Sequence, residues 1–306
     1  MTFKRISVTE NDLRRIRDFL VESYRDNCGQ KNWFIDRWNF CRYFVQSMYR
    51  TYDTWLNSVG LWIDENNNIL AIANSEGENK GEAFLQLGNT HFSEEMLHEI
   101  LDFAEIHLSS ENDSGRFINL RVNEDAEHVK AILMQRGYVL QDWKESTSVL
   151  LIDQYYDVYI PTGFRILDST VVSNHQKGLA HGRAFGRYKE DRPDDDILEK
   201  AYQSMRTAPD YRPDLDISLI DNNDEVAAFA TVWFDDMNKI GILEPVGTIP
   251  KYRGLGLGKA VIFEGINRIR NLGAKKMYVG SDQQFYRSIG FSLAYAKEIW
   301  QKIVPE

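Results

Sequence analysis

The segment Thr248-Ile-Pro-Lys-Tyr-Arg-Gly-Leu-Gly-Leu-Gly-Lys-Ala260 constrains this chain of 306 residues more than any other stretch. An apolar run from Ile240 to Ile249 leads into it, and a stretch of helical period follows, with Ile262, Ile266 and Ile269 on one face. Gly254, Gly256 and Gly258 stand at the junction. This order predicts a strand, a glycine-rich turn and a helix whose first N–H groups have no partner inside the helix. Those groups and the positive end of the helix dipole favour a phosphate, and glycines without Cβ atoms let the backbone approach it closely.

Two phosphate motifs fail on spacing. A P-loop needs Gly-x-x-x-x-Gly-Lys-Ser/Thr, whereas Ala260 follows Gly258-Lys259 and Arg253 stands where the first glycine belongs. A dinucleotide fingerprint starting at Gly254-x-Gly256 would put its third glycine at Lys259. A nucleotide-binding module built on this turn is therefore disfavoured. What fits is Arg253-x-x-Gly256-x-Gly258, preceded by Pro250. It resembles the pyrophosphate-binding motif of the GNAT superfamily of CoA-dependent N-acetyltransferases. Upstream, Glu244-Pro-Val-Gly-Thr-Ile-Pro250 looks like the fourth strand of that fold. Downstream, Phe285-Tyr-Arg-Ser-Ile-Gly-Phe291 resembles its closing Tyr-x-x-x-Gly-Phe signature.

The resemblance implies acetyl-CoA as the cofactor. Its pantetheine arm would run along Val246, Gly247 and Thr248, and its pyrophosphate would lie on Arg253, Gly254, Leu255, Gly256, Leu257, Gly258 and Lys259. Relatives carry an Asn seven residues before the closing tyrosine, where this chain has Val279, so Ser281 or Gln283 must supply that contact if anything does.

Acetyl transfer to an amine requires removal of an amine proton, donors for an oxyanion and a proton for the departing thiolate. Glu244 is the candidate base, on an apolar strand directly before Pro245, which cannot donate to a ladder and marks a bulge or splayed end. A desolvated carboxylate there would have a raised pKa; the alternative is a carboxylate facing solvent on the other face. Val246 is the first main-chain donor after Glu244. Tyr286 corresponds by resemblance to the tyrosine that protonates the thiolate, against the alternative of a core aromatic. Tyr211, Trp233 and Asp235 flank the expected acceptor side and are candidates for holding a cationic substrate. The six histidines show no metal spacing, and no metal is expected.

The chain also repeats itself. Trp62-Ile-Asp-Glu-Asn-Asn-Asn-Ile-Leu-Ala-Ile-Ala73 parallels Leu219-Ile-Asp-Asn-Asn-Asp-Glu-Val-Ala-Ala-Phe-Ala230, and Leu133-Met-Gln-Arg-Gly137-Tyr138 parallels Tyr286-Arg-Ser-Ile-Gly290-Phe291. The helix and strand patterns follow the same order in both halves, and each half is expected to close on a pair of strands. The expected fold is mixed α/β, two tandem GNAT-like domains, each a largely antiparallel sheet flanked by helices. The first domain spans 1–152 and the second 160–306, with Pro161 and Gly163 at the joint. The stretch Glu95–Leu101 falls where the first copy should bind pyrophosphate, yet it has no glycine and is acidic. The first copy is expected to lack the cofactor and the second to be catalytic. The aromatic run from Trp33 to Phe44 recurs at helical spacing and reads as core.

A net charge of -10 argues against a nucleic-acid partner. Two cysteines without metal or redox spacing point to a reducing, cytoplasmic location, and neither an apolar leader nor a membrane-length run is present. The reading is an acyl-CoA-dependent N-acyltransferase acting on a small-molecule or peptidyl amine. The alternative is a non-catalytic acyl-CoA-binding sensor.

Overall fold

The computed structural model describes residues 2–25, 31–77, 81–88, 93–113, 115–187 and 196–304. Cys28, one of the two cysteines, and Asp195 lie outside the described residues. In chain order the elements are β1 (Phe3–Ser7), α1 (Asp12–Arg25), α2 (Ile35–Asn39), α3 (Gln46–Tyr49), α4 (Tyr52–Trp55), β2 (Gly60–Asp64), β3 (Ile69–Asn74), β4 (Glu82–Leu87), α5 (Glu94–His107), β5 (Ser110–Asn112), β6 (Gly115–Asn123), α6 (Glu127–Gln135) and β7 (Val139–Leu151). They continue as β8 (Phe164–Asp168), α7 (Asn174–Ala184), α8 (Ile197–Met205), β9 (Asp216–Asp221), β10 (Val226–Asp235), β11 (Ile240–Thr248), α9 (Leu257–Asn271), β12 (Lys276–Val279), α10 (Gln284–Ser288) and β13 (Ser292–Ile303).

Two compact units result, and their membership differs from the sequence spans at both ends of the chain. One holds Met1–Phe34, Thr51–Thr147 and Leu293–Glu306; the other holds Ile35–Arg50 and Ser148–Ser292. In the first, the strand order is β1-β2-β3-β4-β6-β13-β7, with β5 on β6. In the second it is the end of β7 from Ser148, then β12-β11-β10-β9-β8. Most pairings are antiparallel; β4 with β6 and β11 with β12 run parallel. The expected strand pairs at the close of each half are instead single long strands, β7 of 13 residues and β13 of 12. Neither contains the Gly, Pro or Asn that most strongly marks a turn.

The repeat is a repeat of geometry. Asp64 Oδ1 accepts from the N–H groups of Asn66 and Asn68 at 2.9 and 2.7 Å, and Asp221 Oδ1 accepts from those of Asn223 and Glu225 at 2.8 and 3.0 Å. In each turn one residue takes the left-handed conformation, Asn67 at φ 65 and Asp224 at φ 62. The Gly-aromatic closures match as well. Tyr138 N donates to Leu133 O and Gly137 N to Met134 O; Phe291 N donates to Tyr286 O and Gly290 N to Arg287 O. Both are the paired bonds with which a left-handed glycine ends a helix.

In the second unit β10 is buried along its whole length. Ala228, Ala230 and Val232 pack with Val261, Ile262 and Ile266 of α9, while Val226 and Phe229 pack with Ala180 of α7. The three isoleucines read from the sequence as one helical face are fully buried. Between α2 and α3 the expected continuous helix carries a π-helical turn over Phe40–Val45. The aromatic run around it is core: Trp33, Trp38 and Phe44 are all buried.

Candidate active site

Strand β11 is the centre of the site. Its pairing with β10 is regular from Thr248 (opposite Ala228) to Val246 (opposite Ala230), then resumes at Leu243 opposite Val232. Glu244 and Pro245 thus face the single residue Thr231 in a β-bulge, and the peptide between them is cis. On its other edge β11 pairs with β12 only as far as Leu243 opposite Val279. Beyond that point, among the described residues, the edge is open. Ile249 N donates to Ala227 O at 3.0 Å, which fixes the alternation of the ladder. By that alternation Val246 and Thr248 turn their N–H and C=O groups away from β10, toward the open side.

The chain then passes through a short 3₁₀ turn at Pro250–Tyr252 into the glycine segment. Gly256 has φ 81 and caps α9 with no side-chain hydrogen bond, so Leu257, Gly258 and Lys259 present main-chain N–H groups unclaimed by any cap. A left-handed φ at this point is natural only for glycine. Arg253 is held by Nε to Thr248 O at 3.2 Å and Nη2 to Ala184 O at 3.1 Å. Lys259 is exposed, with its ammonium 5.0 Å from the Phe263 ring. Leu255 points outward, 47% exposed.

These parts border a cleft of about 520 Å³, lined by Val246, Gly247, Thr248, the turn from Arg253 to Lys259 except Leu255, Tyr286 and several aromatic neighbours. Of the residues expected to hold the cofactor, the structure brings all but Leu255 to this one cleft. Gln283 also lines it, whereas Ser281 is not among the lining residues. Ala184, Phe185, Tyr252 and Phe285 line it too and were not foreseen as site residues. Tyr252 and Phe285 lie inside the motifs already singled out. Ala184 and Phe185 come from the end of α7, and the one sequence signal for them is Gly247: a Cβ there would stand 3.1 Å from Ala184 Cβ and 2.6 Å from the Phe229 ring.

Tyr286 is half-buried, with its ring edge-on to Phe285 at 5.2 Å and to Phe291 at 5.8 Å. Burial first, then the charge of Glu244, pushes its phenol up to about 12. Glu244 is half-buried in the bulge, and its main-chain O accepts from Trp233 Nε1 at 2.7 Å. Tyr252 OH reaches Asp221 and Glu225 at 2.6 and 2.8 Å, and burial together with those two acceptors raises its pKa.

The three residues read as candidates for an acceptor are engaged in the fold. Trp233 is buried under the bulge. Tyr211 is half-buried, and its OH donates to Asp216 Oδ2 at 2.7 Å. Asp235 is buried at the β10–β11 hairpin, where its carboxylate accepts from the N–H groups of Met237 and Asn238 and from Asn238 Nδ2. Among the described residues no cluster of His, Cys, Asp and Glu could hold a metal. No helix among them is long and apolar enough to cross a membrane.

Comparison with known proteins agrees with this geometry. Residues 183–291 match the model of the Acetyltransferase (GNAT) family. Over 112 residues the chain is 28% identical to an uncharacterized N-acetyltransferase, YhbS, of Escherichia coli strain K12; the match takes in 33% of this chain and 66% of that protein. Among solved structures, a tandem GNAT protein from the clavulanic acid biosynthesis pathway superposes with a TM-score of 0.66 at 9% identity, covering 100% of this chain and 99% of that one. A GCN5-related N-acetyltransferase from Sphaerobacter thermophilus gives 0.63 at 13% identity, covering 99% and 96%. Residues 183–291 are thus similar to the GNAT family, and the chain has the fold of a tandem GNAT protein. At these identities the solved structures speak for the fold alone.

Proposed function

We propose that the protein is an acyl-CoA-dependent N-acyltransferase that moves an acetyl group from acetyl-CoA to a primary amine of a small molecule or peptide. The observation that carries this reading is the meeting, in one cleft, of the open edge of β11, the uncapped start of α9 and the Tyr286 ring. The cleft suits the group: its glycine turn presents main-chain donors where a side chain would intrude, since a Cβ on Gly258 would lie 3.1 Å from Thr248 Oγ1. Bound acetyl-CoA would bring an activated thioester carbonyl. The first turn of α9 and Arg253 would hold its pyrophosphate, and Val246 and Thr248 would pair with its pantetheine amides as an added strand does.

Glu244, at the bulge, takes the proton of the amine. The Val246 N–H is the donor for the oxyanion, with Pro245 unable to donate. Tyr286 keeps its proton at neutral pH, because burial and the nearby carboxylate oppose its ionisation, and gives it to the leaving sulfur. The first copy, residues 1–152, has no cofactor in this reading. There Ser93 Oγ accepts from Met96 N at the start of α5, followed by Glu94 and Glu95, so one donor is already capped and the local field repels phosphate. Asn32 pairs with both main-chain groups of Leu87, donating to its O at 2.8 Å and accepting from its N at 2.9 Å, at the end of β4.

The test is release of CoA thiol from acetyl-CoA against a panel of amines. Release that depends on an added amine supports the reading. Tight CoA binding without release for any amine would instead favour an acyl-CoA-binding sensor.

A further inference from the structure

We propose that Tyr211, Asp216 and Trp233 are positioning residues for the strand that carries Glu244 and Val246, and that Asn39, from the first half of the sequence, anchors them. The inference rests on the acyltransferase reading and adds to it the parts that hold its candidate groups in place.

A bulge interrupts the ladder, so a main-chain carbonyl inside it needs a donor from elsewhere. For Glu244 that donor is the indole of Trp233, at 2.7 Å. Trp233 is itself set by Tyr211, whose ring meets it nearly edge-on at 6.3 Å and 72°. Tyr211 is set in turn by Asp216, which accepts its hydroxyl at 2.7 Å. The same carboxylate accepts from Thr231 Oγ1 at 2.7 Å, and Thr231 is the residue opposite the bulge. Ser169 Oγ donates to it at 2.5 Å, and Lys177 Nζ pairs with it at 2.7 Å, both charged side chains being fully buried. One carboxylate therefore reaches the bulge by two routes: through Thr231 directly, and through Tyr211 and Trp233 to the Glu244 carbonyl. A buried charge with all of its acceptor sites used has a single low-energy arrangement, which suits it to this task.

The anchor comes from far away in sequence. Asn39 Nδ2 donates to Asp210 Oδ2 at 2.8 Å, immediately before Tyr211. Asn39 ends α2, and the π-helical turn after it seats Phe44 edge-on to Tyr202 at 5.2 Å and against His181 at 5.1 Å. The segment Ile35–Arg50 belongs to the second unit for this reason, and π-helical turns recur where a helix serves a site.

The test compares Tyr211→Phe, Trp233→Phe and Asn39→Ala with wild type and with Ile269→Val, a core change outside this hydrogen-bond network. If the alanine variant does not fold, Asn39→Ser takes its place. The three variants should lower kcat by about tenfold to a hundredfold, as expected for a displaced reacting group. They should leave CoA affinity unchanged, because the glycine turn is untouched. The acid limb of their kcat profile should move, whereas the control should lose thermal stability with no change in kcat or in that limb. Wild-type kcat with an unmoved acid limb in Tyr211→Phe and Trp233→Phe would overturn the proposal. Should the wild type bind CoA and acylate no amine, the acyltransferase reading falls by itself. The positioning claim is then read from the Trp233 indole N–H resonance, assigned by its loss in Trp233→Phe. Tyr211→Phe and Asn39→Ala should shift it and speed its exchange, and an unchanged resonance in both would overturn the claim.

Discussion

Gly258 lies against Thr248 so closely that an added Cβ would stop 3.1 Å from the threonine Oγ1 and 3.4 Å from the Phe285 ring. Gly256, two residues earlier, has nothing within 4 Å of its missing Cβ but holds φ at 81. The two glycines therefore answer to different physics, and substitutions should separate them. Gly256→Ala should cost about 1–2 kcal/mol of stability, the penalty of a left-handed L-residue. Gly258→Val should lower the unliganded melting temperature, because its side chain crowds Thr248 and Phe285, and should abolish the thermal protection given by CoA, since its side chain also intrudes on the cleft. Differential scanning fluorimetry with and without CoA measures both. A Gly258→Val protein still protected by CoA would remove the turn from the cofactor site.

Calorimetry should give one CoA per chain. The start of α5 is closed by the Ser93 cap and carries Glu94 and Glu95, whereas the start of α9 has no side-chain cap and no acidic residue in its first turn. Opening the first site should need more than one change. Ser93→Gly alone frees one donor and leaves the two carboxylates in place, so the stoichiometry should stay at one. Two equivalent sites in the wild type would refute this.

Much of the second unit was legible from its sequence. The helix after the glycines buries the isoleucine face its period announced. The bulge was foreshadowed by Pro245, a residue that cannot take part in a ladder. Three things were not legible. The length of β7 and β13 was missed because strands were expected to end in pairs, although neither stretch contains Gly, Pro or Asn. The placement of Ile35–Arg50 with the second unit depends on contacts such as Asn39 to Asp210, 171 residues apart, and no local pattern encodes them. The roles of Trp233 and Asp235 were read from residue type, yet each is committed to main-chain groups that only the folded strand brings within reach. Local periodicity reports which face is buried; it does not report what a buried polar atom bonds to.

Stability should fall in mild acid through His181. Burial first, then the charges of Arg187 and Lys177, lowers its pKa from 6.5 to about 3. The ring packs among Phe44, Phe185 and Tyr202, with Nδ1 3.2 Å from Tyr202 OH. Between these two pKa values the unfolded chain binds a proton that the folded chain refuses. Stability therefore rises with pH across the window and is lost as pH falls from about 6.5 toward 3. The loss should reach at most about 5 kcal/mol at the acid end. His181→Leu should flatten that slope in urea titrations run at several pH values, whatever its effect at neutral pH. An equal slope in both proteins would assign the acid sensitivity to other groups.

The candidate acid and base should separate in their response to pH. Tyr286→Phe removes only a hydroxyl, and the ring contacts with Phe285 and Phe291 that hold the side chain remain available. Thermal stability and CoA affinity should therefore stay close to wild type, while kcat falls by ~10²–10⁴-fold, the range for a general acid. Because the phenol is pushed up to about 12, the wild-type rate should show no alkaline decline from Tyr286 across the ordinary assay range. Glu244→Gln leaves the main-chain bond to Trp233 intact, since that bond uses the carbonyl and not the side chain. Its rate should be depressed most near neutral pH, where the amine arrives protonated, and should recover in part as rising pH supplies free amine without help. Steady-state kinetics of both variants against pH, with one amine and saturating acetyl-CoA, decide the matter. Wild-type kcat in Tyr286→Phe would remove it from the acid role. A uniform drop in Glu244→Gln with no alkaline recovery would point to proton removal through water instead of through this carboxylate.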